Sequence, residues 1–238
     1  MHSWPARLGF ALWLLLVLLC QTGCRDTALL ARPEWWPFGG DPNYEFLNER
    51  GHMAPSQRVR QLQQLAREAS KKTPEEQQQI SQQLAEQIRS ELDPLVRQQI
   101  VRTLARYDTP TAGTVLAAAL EDPDPLVRIE ACCAWGHRGG AEASRHLVEA
   151  FNTDTDKDVR LAALRQLGEV GDIYAVSAVA EALEDPDPAL QYGAVNTLRK
   201  LTNEDFGNDV NAWRAFVRGE NPPRPPRSLV ERFQRLLF

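Results

Sequence analysis

Between residues 56 and 220 the apolar positions recur with a helical period, and no stretch alternates as a strand would. Four segments share one stripe at i, i+4, i+5 and i+8. They are Val96/Ile100/Val101/Leu104, Val127/Ala131/Cys132/Trp135, Val159/Ala163/Leu164/Leu167 and Leu190/Ala194/Val195/Leu198. Each stripe is the core face of a helix. Shorter apolar-periodic segments fall between them, at about 110–120, 141–151 and 173–183. Upstream, Val59, Leu62, Leu65 and Ala66 predict a helix from about Ser56. A second follows Thr73-Pro74-Glu75-Glu76, where Thr73 is a good N-cap, Pro74 suits the first helical position and Glu76 completes a capping box. Its apolar face is Ile80, Leu84 and Ile88.

The stripes are copies of one unit. The segments headed by Asp93, Asp124, Asp156 and Asp187 align at spacings of 31, 32 and 31 residues, and the heptapeptide ALEDPDP occurs at both Ala119–Pro125 and Ala182–Pro188, two periods apart. A fixed period of this length marks a stacked repeat. The heptapeptide is a junction: its prolines end one helix, its last aspartate caps the next, and a proline at the first helical position forfeits no hydrogen bond. The aspartate's charge also suits the positive end of the helix dipole. A helix pair per period cannot bury both its faces alone, whereas stacked pairs can. The expected fold is therefore all-α, an α-solenoid of about four helix pairs with capping helices at both ends.

The string D-P-x-V-R-x-x-x-A-x-x-x-L-G resembles the second helix of bacterial HEAT repeats, the short variety called phycobilisome-lyase-type. Asp124, Val127, Arg128, Ala131 and Gly136 match it, with Trp135 in the Leu slot; Asp156, Val159, Arg160, Ala163, Leu167 and Gly168 match throughout. The first copy keeps Asp93, Val96, Arg97 and Leu104 but has Ala105 for Gly, and the fourth has Leu190-Gln191 for Val-Arg. The resemblance covers residues 74–202. Beyond it, LTNEDFGNDVNAWRAF (201–216) is similar to a C-terminal signature of some bacterial HEAT-repeat lipoproteins. Together these imply a protein-interaction scaffold of the cell envelope.

The N-terminus agrees with that implication. Arg7 precedes LGFALWLLLVLLC, thirteen uncharged residues, which is too short for a comfortable membrane span and reads as the core of a signal peptide. Thr22-Gly23-Cys24 then resembles a lipobox, with Gln21 where Leu is usual. The resemblance implies cleavage after residue 23 and a lipid on Cys24. The expected layout is a signal peptide (1–23), a lipid-anchored tether (24–55) containing Trp35, Trp36, Phe38, Tyr44 and Phe46, the solenoid (56–204), a cap (205–220), and a Pro-rich spacer with an amphipathic tail (221–238). The expected location is the envelope, facing the periplasm or exterior.

Charge and chemistry narrow the partners. Losing residues 1–23 removes only Arg7 and leaves 26 basic against 32 acidic residues, so no basic surplus is available for nucleic acid. With Cys20 in the leader and Cys24 lipidated, the remaining cysteines are the neighbours Cys132 and Cys133, which cannot form an unstrained disulfide within one helix. Cys132 occupies a core slot and Cys133 a more exposed one. Some enzymes of HEAT-like repeats hold iron with His-Glu pairs, but His2, His52, His137 and His146 are followed by Ser, Met, Arg and Leu. No zinc spacing, phosphate loop or nucleophile elbow stands out. The expectation is no catalytic residue, no cofactor, no metal and no small-molecule substrate. The partner is then a protein not identifiable from the sequence, with the membrane reached through the lipid anchor. The enzyme alternative is a HEAT-like protein of the bilin-lyase type, for which the resemblance supplies no active residue.

Two features leave alternatives open. Arg97, Arg128 and Arg160 recur at one offset. They form either a charged track for a ligand or pairs with junction carboxylates of their own or a neighbouring repeat, and recurrence at the repeat period favours pairing. After PPRPPR (222–227), Leu229, Val230, Phe233, Leu236 and Leu237 share one helical face with Arg227, Arg232 and Arg235 flanking it. This segment either packs on the solenoid or binds a partner or membrane surface.

Overall fold

The computed structural model describes residues 53–224. The expected signal peptide (1–23), Cys24, nearly all of the expected tether (24–55) and the expected tail segment 228–238 lie outside the described residues. Within them, ten α-helices follow one another and no strand occurs. They are α1 (Pro55–Glu68), α2 (Pro74–Ser90), α3 (Pro94–Leu104), α4 (Pro110–Ala118), α5 (Pro125–Arg138), α6 (Gly140–Thr153), α7 (Lys157–Val170), α8 (Val176–Glu181), α9 (Pro188–Thr202) and α10 (Val210–Val217). Short 3₁₀ turns extend α4 and flank α8. No described helix is long and apolar enough to cross a membrane.

Helix starts follow the predicted chemistry. Asp93, Asp124, Asp156 and Asp187 each accept a hydrogen bond from the backbone N–H two residues on, at 2.8–2.9 Å. Thr73 and Glu76 form the full capping box. The carboxylate two residues before each cap, Glu91, Asp122, Asp154 or Asp185, in turn accepts the N–H of the capping aspartate. Two acidic side chains thus satisfy the donors of each tight turn.

The ten helices make two rows. The odd-numbered helices pack one on the next from α1 to α9, those from α3 on carrying the D-P-x-V-R motif or a variant of it, and the even-numbered helices form the other row. The pairs α2/α3, α4/α5, α6/α7 and α8/α9 are the four repeats; α1 completes the odd row at one end and α10 the even row at the other. Every one of the sixteen stripe residues is buried, Trp135 and Leu190 at 1% exposure and the rest at 0%. Trp135 fills the Leu slot by extending to α6, where its ring stacks on His146 at 4.4 Å. Gly136 keeps α5 close to α7, since a Cβ there would meet the Gln166 side chain, whose own Cβ lies 3.0 Å away.

Polar bonds also link successive helices of the odd row at one repeat offset. The Thr103 hydroxyl donates to the Leu62 carbonyl and that of Thr197 to Leu164, each joining an odd helix to the one before it. At the far end, Phe206, Trp213 and Phe216 form an aromatic cluster with centroids 5.1–5.9 Å apart. Trp213 is fully buried, and Arg214 donates to the Leu183 carbonyl and pairs with Glu184, fastening α10 to the last repeat.

Candidate interaction face

The recurring arginines do not form a free track. Arg97 donates two hydrogen bonds to Asp122 (2.9 and 2.8 Å), Arg128 two to Asp154 (2.7 and 3.0 Å) and Arg160 one to Asp185 (2.9 Å). In each case the acceptor belongs to the next junction. The same guanidinium also holds backbone carbonyls of the preceding turns: Glu91 and Leu92 for Arg97, Asp122 and Pro123 for Arg128, and Phe151 for Arg160. Arg58 pairs with Glu91, so α1 joins the ladder. Where Gln191 replaces arginine, its amide still reaches the Asp185 carbonyl at 2.8 Å. The ladder is structural, a staple from each junction to the next. Burial, the largest single effect, would raise the Asp122 carboxyl, but the Arg97 hydrogen bonds, the Asp124 N–H and the charges of Arg97 and Arg128 together outweigh it and hold Asp122 below the usual carboxylate range. Asp185 is lowered chiefly by the Asp187 N–H and further by Arg160.

What remains free is the outward side of the odd row. The second residue after each capping aspartate is Leu95, Leu126, Asp158 or Ala189, and the fifth is Gln98, Ile129, Leu161 or Tyr192. Leu95, Leu126 and Tyr192 are 59%, 52% and 53% exposed, while Ile129 and Leu161 are half-buried. Isolated apolar residues on a surface need no explanation, so what makes this face a candidate is that they recur at one repeat offset along it. The file is not uniform. Beside α3, Arg102 forms a bidentate pair with Glu130 (2.9 and 2.5 Å), making that part polar. Between α5, α7 and α9 it sinks into an apolar groove of about 480 Å³, lined by Ile129, Leu161, Ala162, Tyr192 and Gly193 and edged by Asp158, Arg165 and Lys200.

A larger recess of about 890 Å³ opens at the C-terminal ends of α1, α3 and α5, among Arg67, Arg106, Tyr107, His137 and Arg138. Two of its cations, Arg106 and Arg138, are already engaged. Arg138 donates to the Tyr107 carbonyl and pairs with Asp108, its guanidinium lies 5.7 Å from the Trp135 ring, and Arg106 contacts His137 at 3.2 Å. Cations at helix C-termini complement the dipole and need no ligand. The smaller apolar groove is the better candidate.

The other singled-out residues fall as follows. Cys132 is fully buried, and burial pushes its thiol up to about 12, far from a thiolate at neutral pH. Cys133 is half-buried between α5 and α7, with Arg165 and Gln166 each 3.8 Å from its sulfur. Both are free thiols. His137 and His146 are held apart, one against Arg106 and one against Trp135, and among the described residues no three His, Cys, Asp or Glu side chains cluster as metal ligands. Cys24 falls outside the described residues.

Periodicity, two helix rows and the junction staples agree with one comparison. A family model described as HEAT repeats matches residues 81–165 and 145–210, more than half of the chain. The chain belongs to the HEAT-repeat family. No curated protein matches the sequence. HEAT repeats suit a protein-interaction scaffold, because stacked helix pairs build an extended surface. Sequence reasoning located every helix of this surface but not the groove. Leu161 and Tyr192 share one repeat offset, and that recurrence of an outward apolar residue was the signal available.

Proposed function

We propose that the protein is a non-catalytic scaffold that binds another protein along the outward face of its odd-numbered helices, tethered to the cell envelope by a lipid on Cys24. The observation that carries the binding half is the file of Leu95, Leu126, Ile129, Leu161 and Tyr192, which ends in the groove between α5, α7 and α9. Interfaces draw their energy from a few apolar and aromatic anchors ringed by polar groups, and Tyr192 with its rim of Asp158, Arg165 and Lys200 has that composition. The tether rests on the sequence alone: a short apolar core followed by Thr22-Gly23-Cys24. A periplasmic or exterior location follows from that leader.

Two experiments test the halves separately. Labelling cells with a fatty acid should mark the wild-type protein and leave Cys24→Ala unmarked; an unlabelled wild type removes the lipid anchor. A photoreactive amino acid at Leu126 should crosslink a specific protein in cells, and the crosslink should weaken in Tyr192→Glu. A purified protein carrying a bound chromophore would instead favour the bilin-lyase-type enzyme.

A further inference from the structure

The groove between α5, α7 and α9 carries opposite charges at the two ends of its middle helix. Asp158 edges it in the first turn of α7, and Arg165 edges it further along the same helix. Both side chains are exposed. Neither enters a salt bridge among the described residues, and Arg165 touches only the Cys133 sulfur, at 3.8 Å. Seven residues separate them, two helical turns or about 10 Å, so they share one face of α7. Leu161 and Ala162 lie midway between them in the groove.

An acid and a base at equal distances from an apolar centre make a face complementary to itself when it is turned end for end. A two-fold axis lying across α7, between Leu161 and Ala162, sets the helix antiparallel to its copy. Asp158 of each copy then stands opposite Arg165 of the other, twice per dimer, and the assembly closes at two chains. A two-fold axis running along the helices would instead oppose Asp158 to Asp158 and Arg165 to Arg165. Like charges in contact reject that arrangement, so charge selects the antiparallel one. Lys200 discriminates less, because Glu169 of its own chain already pairs with it.

The same axis sorts the apolar groups. Repeat offsets of 32 and 31 residues carry its position from α7 to Ile129 on α5 and to Tyr192 and Gly193 on α9. Tyr192, 53% exposed, then faces Gly193 of the second copy, which has no side chain to hold a ring away from the groove floor. Leu161 meets Ala162, and Ile129 lies near its own counterpart. An aromatic anchor inside a margin of charge pairs is the usual anatomy of a specific interface.

We propose that the protein forms a two-fold dimer in which α7 of one copy packs antiparallel on α7 of the other, with Tyr192 as the anchor and an Asp158–Arg165 pair at each end. The surface is the one assigned to a protein partner above, and the inference, which rests on that reading, is that the partner is a second copy of the chain.

The test uses the full chain in a mild detergent, with its mass followed by sedimentation velocity over a dilution series. The wild type should run as a dimer that dissociates on dilution. Asp158→Arg and Arg165→Asp each bring like charges together at both ends, and each should raise the dimer Kd about tenfold or more. Mixed with one another, the two variants should associate again, since one then presents two cations and the other two carboxylates. Asp158→Arg/Arg165→Asp should dimerise like the wild type. Damage to the fold would not be reversed by mixing. A monomeric wild type, a dimer indifferent to the single reversals, or no recovery on mixing would each overturn the antiparallel dimer. If the wild type is monomeric while a photoreactive group at Leu126 still crosslinks a different protein, the binding face stands without the dimer; if that crosslink is absent as well, the face falls with it.

Discussion

Arg128 grips Asp154 with two hydrogen bonds, Nε to Oδ2 at 2.7 Å and Nη2 to Oδ1 at 3.0 Å, although 26 residues separate them. The two side chains are only 15% and 7% exposed. Breaking such a pair leaves a mostly buried charge without its partner. Arg128→Ala should therefore cost about 2–3 kcal/mol in a urea titration. The Arg128→Ala/Asp154→Ala double variant should cost clearly less than the sum of the single changes, since the partners share one interaction. Strictly additive losses would show that the staple contributes nothing.

The core stripe makes a sharper contrast. Leu164 is fully buried, while the next residue, Arg165, is exposed. Leu164→Ala should lose about 2–5 kcal/mol, the range for truncating a buried leucine. Arg165→Ala should lose about 0.5 kcal/mol or less. Similar denaturation midpoints for the two would mean that α7 presents a different face to the core.

Acid should act through the junctions. Asp122 and Asp185 have folded-state values below their ordinary carboxylate value of 3.8. The stability they contribute is present above about pH 4 and is lost as pH falls through their lowered values. Thermal melts between pH 7 and pH 2 should show this as a steep loss below about pH 4. Asp122→Asn/Asp185→Asn should melt lower at pH 7 and lose less on acidification. An unchanged acid slope in that variant would assign the loss to other carboxylates.

The two cysteines should react in order. Cys132 is sealed in the core with its thiol raised to about 12, and Cys133 sits half-buried beside Arg165. Iodoacetamide at pH 8 should modify Cys133 slowly in the folded protein and leave Cys132 untouched, while both react in urea. Mass spectrometry of native samples showing Cys132 modified first would contradict the assigned helix register.

What the sequence alone determined is whatever short-range chemistry controls. The caps at Thr73, Asp93, Asp124, Asp156 and Asp187 follow from a side chain reaching N–H groups two or three residues away, and the sixteen buried positions follow from a period of 3.6. The stacking of pairs follows from apolar area that a single pair cannot cover. The tertiary structure decided what depends on how far one helix is displaced from the next. The staple could have closed on a carboxylate of its own junction; the spacing of the odd row sends Arg97, Arg128 and Arg160 to the following one instead. The outward residues are likewise unconstrained by any local rule. Whether Ile129, Leu161 and Tyr192 stand as three separate side chains or meet around Gly193 as one groove is set by the approach of three helices far apart in sequence.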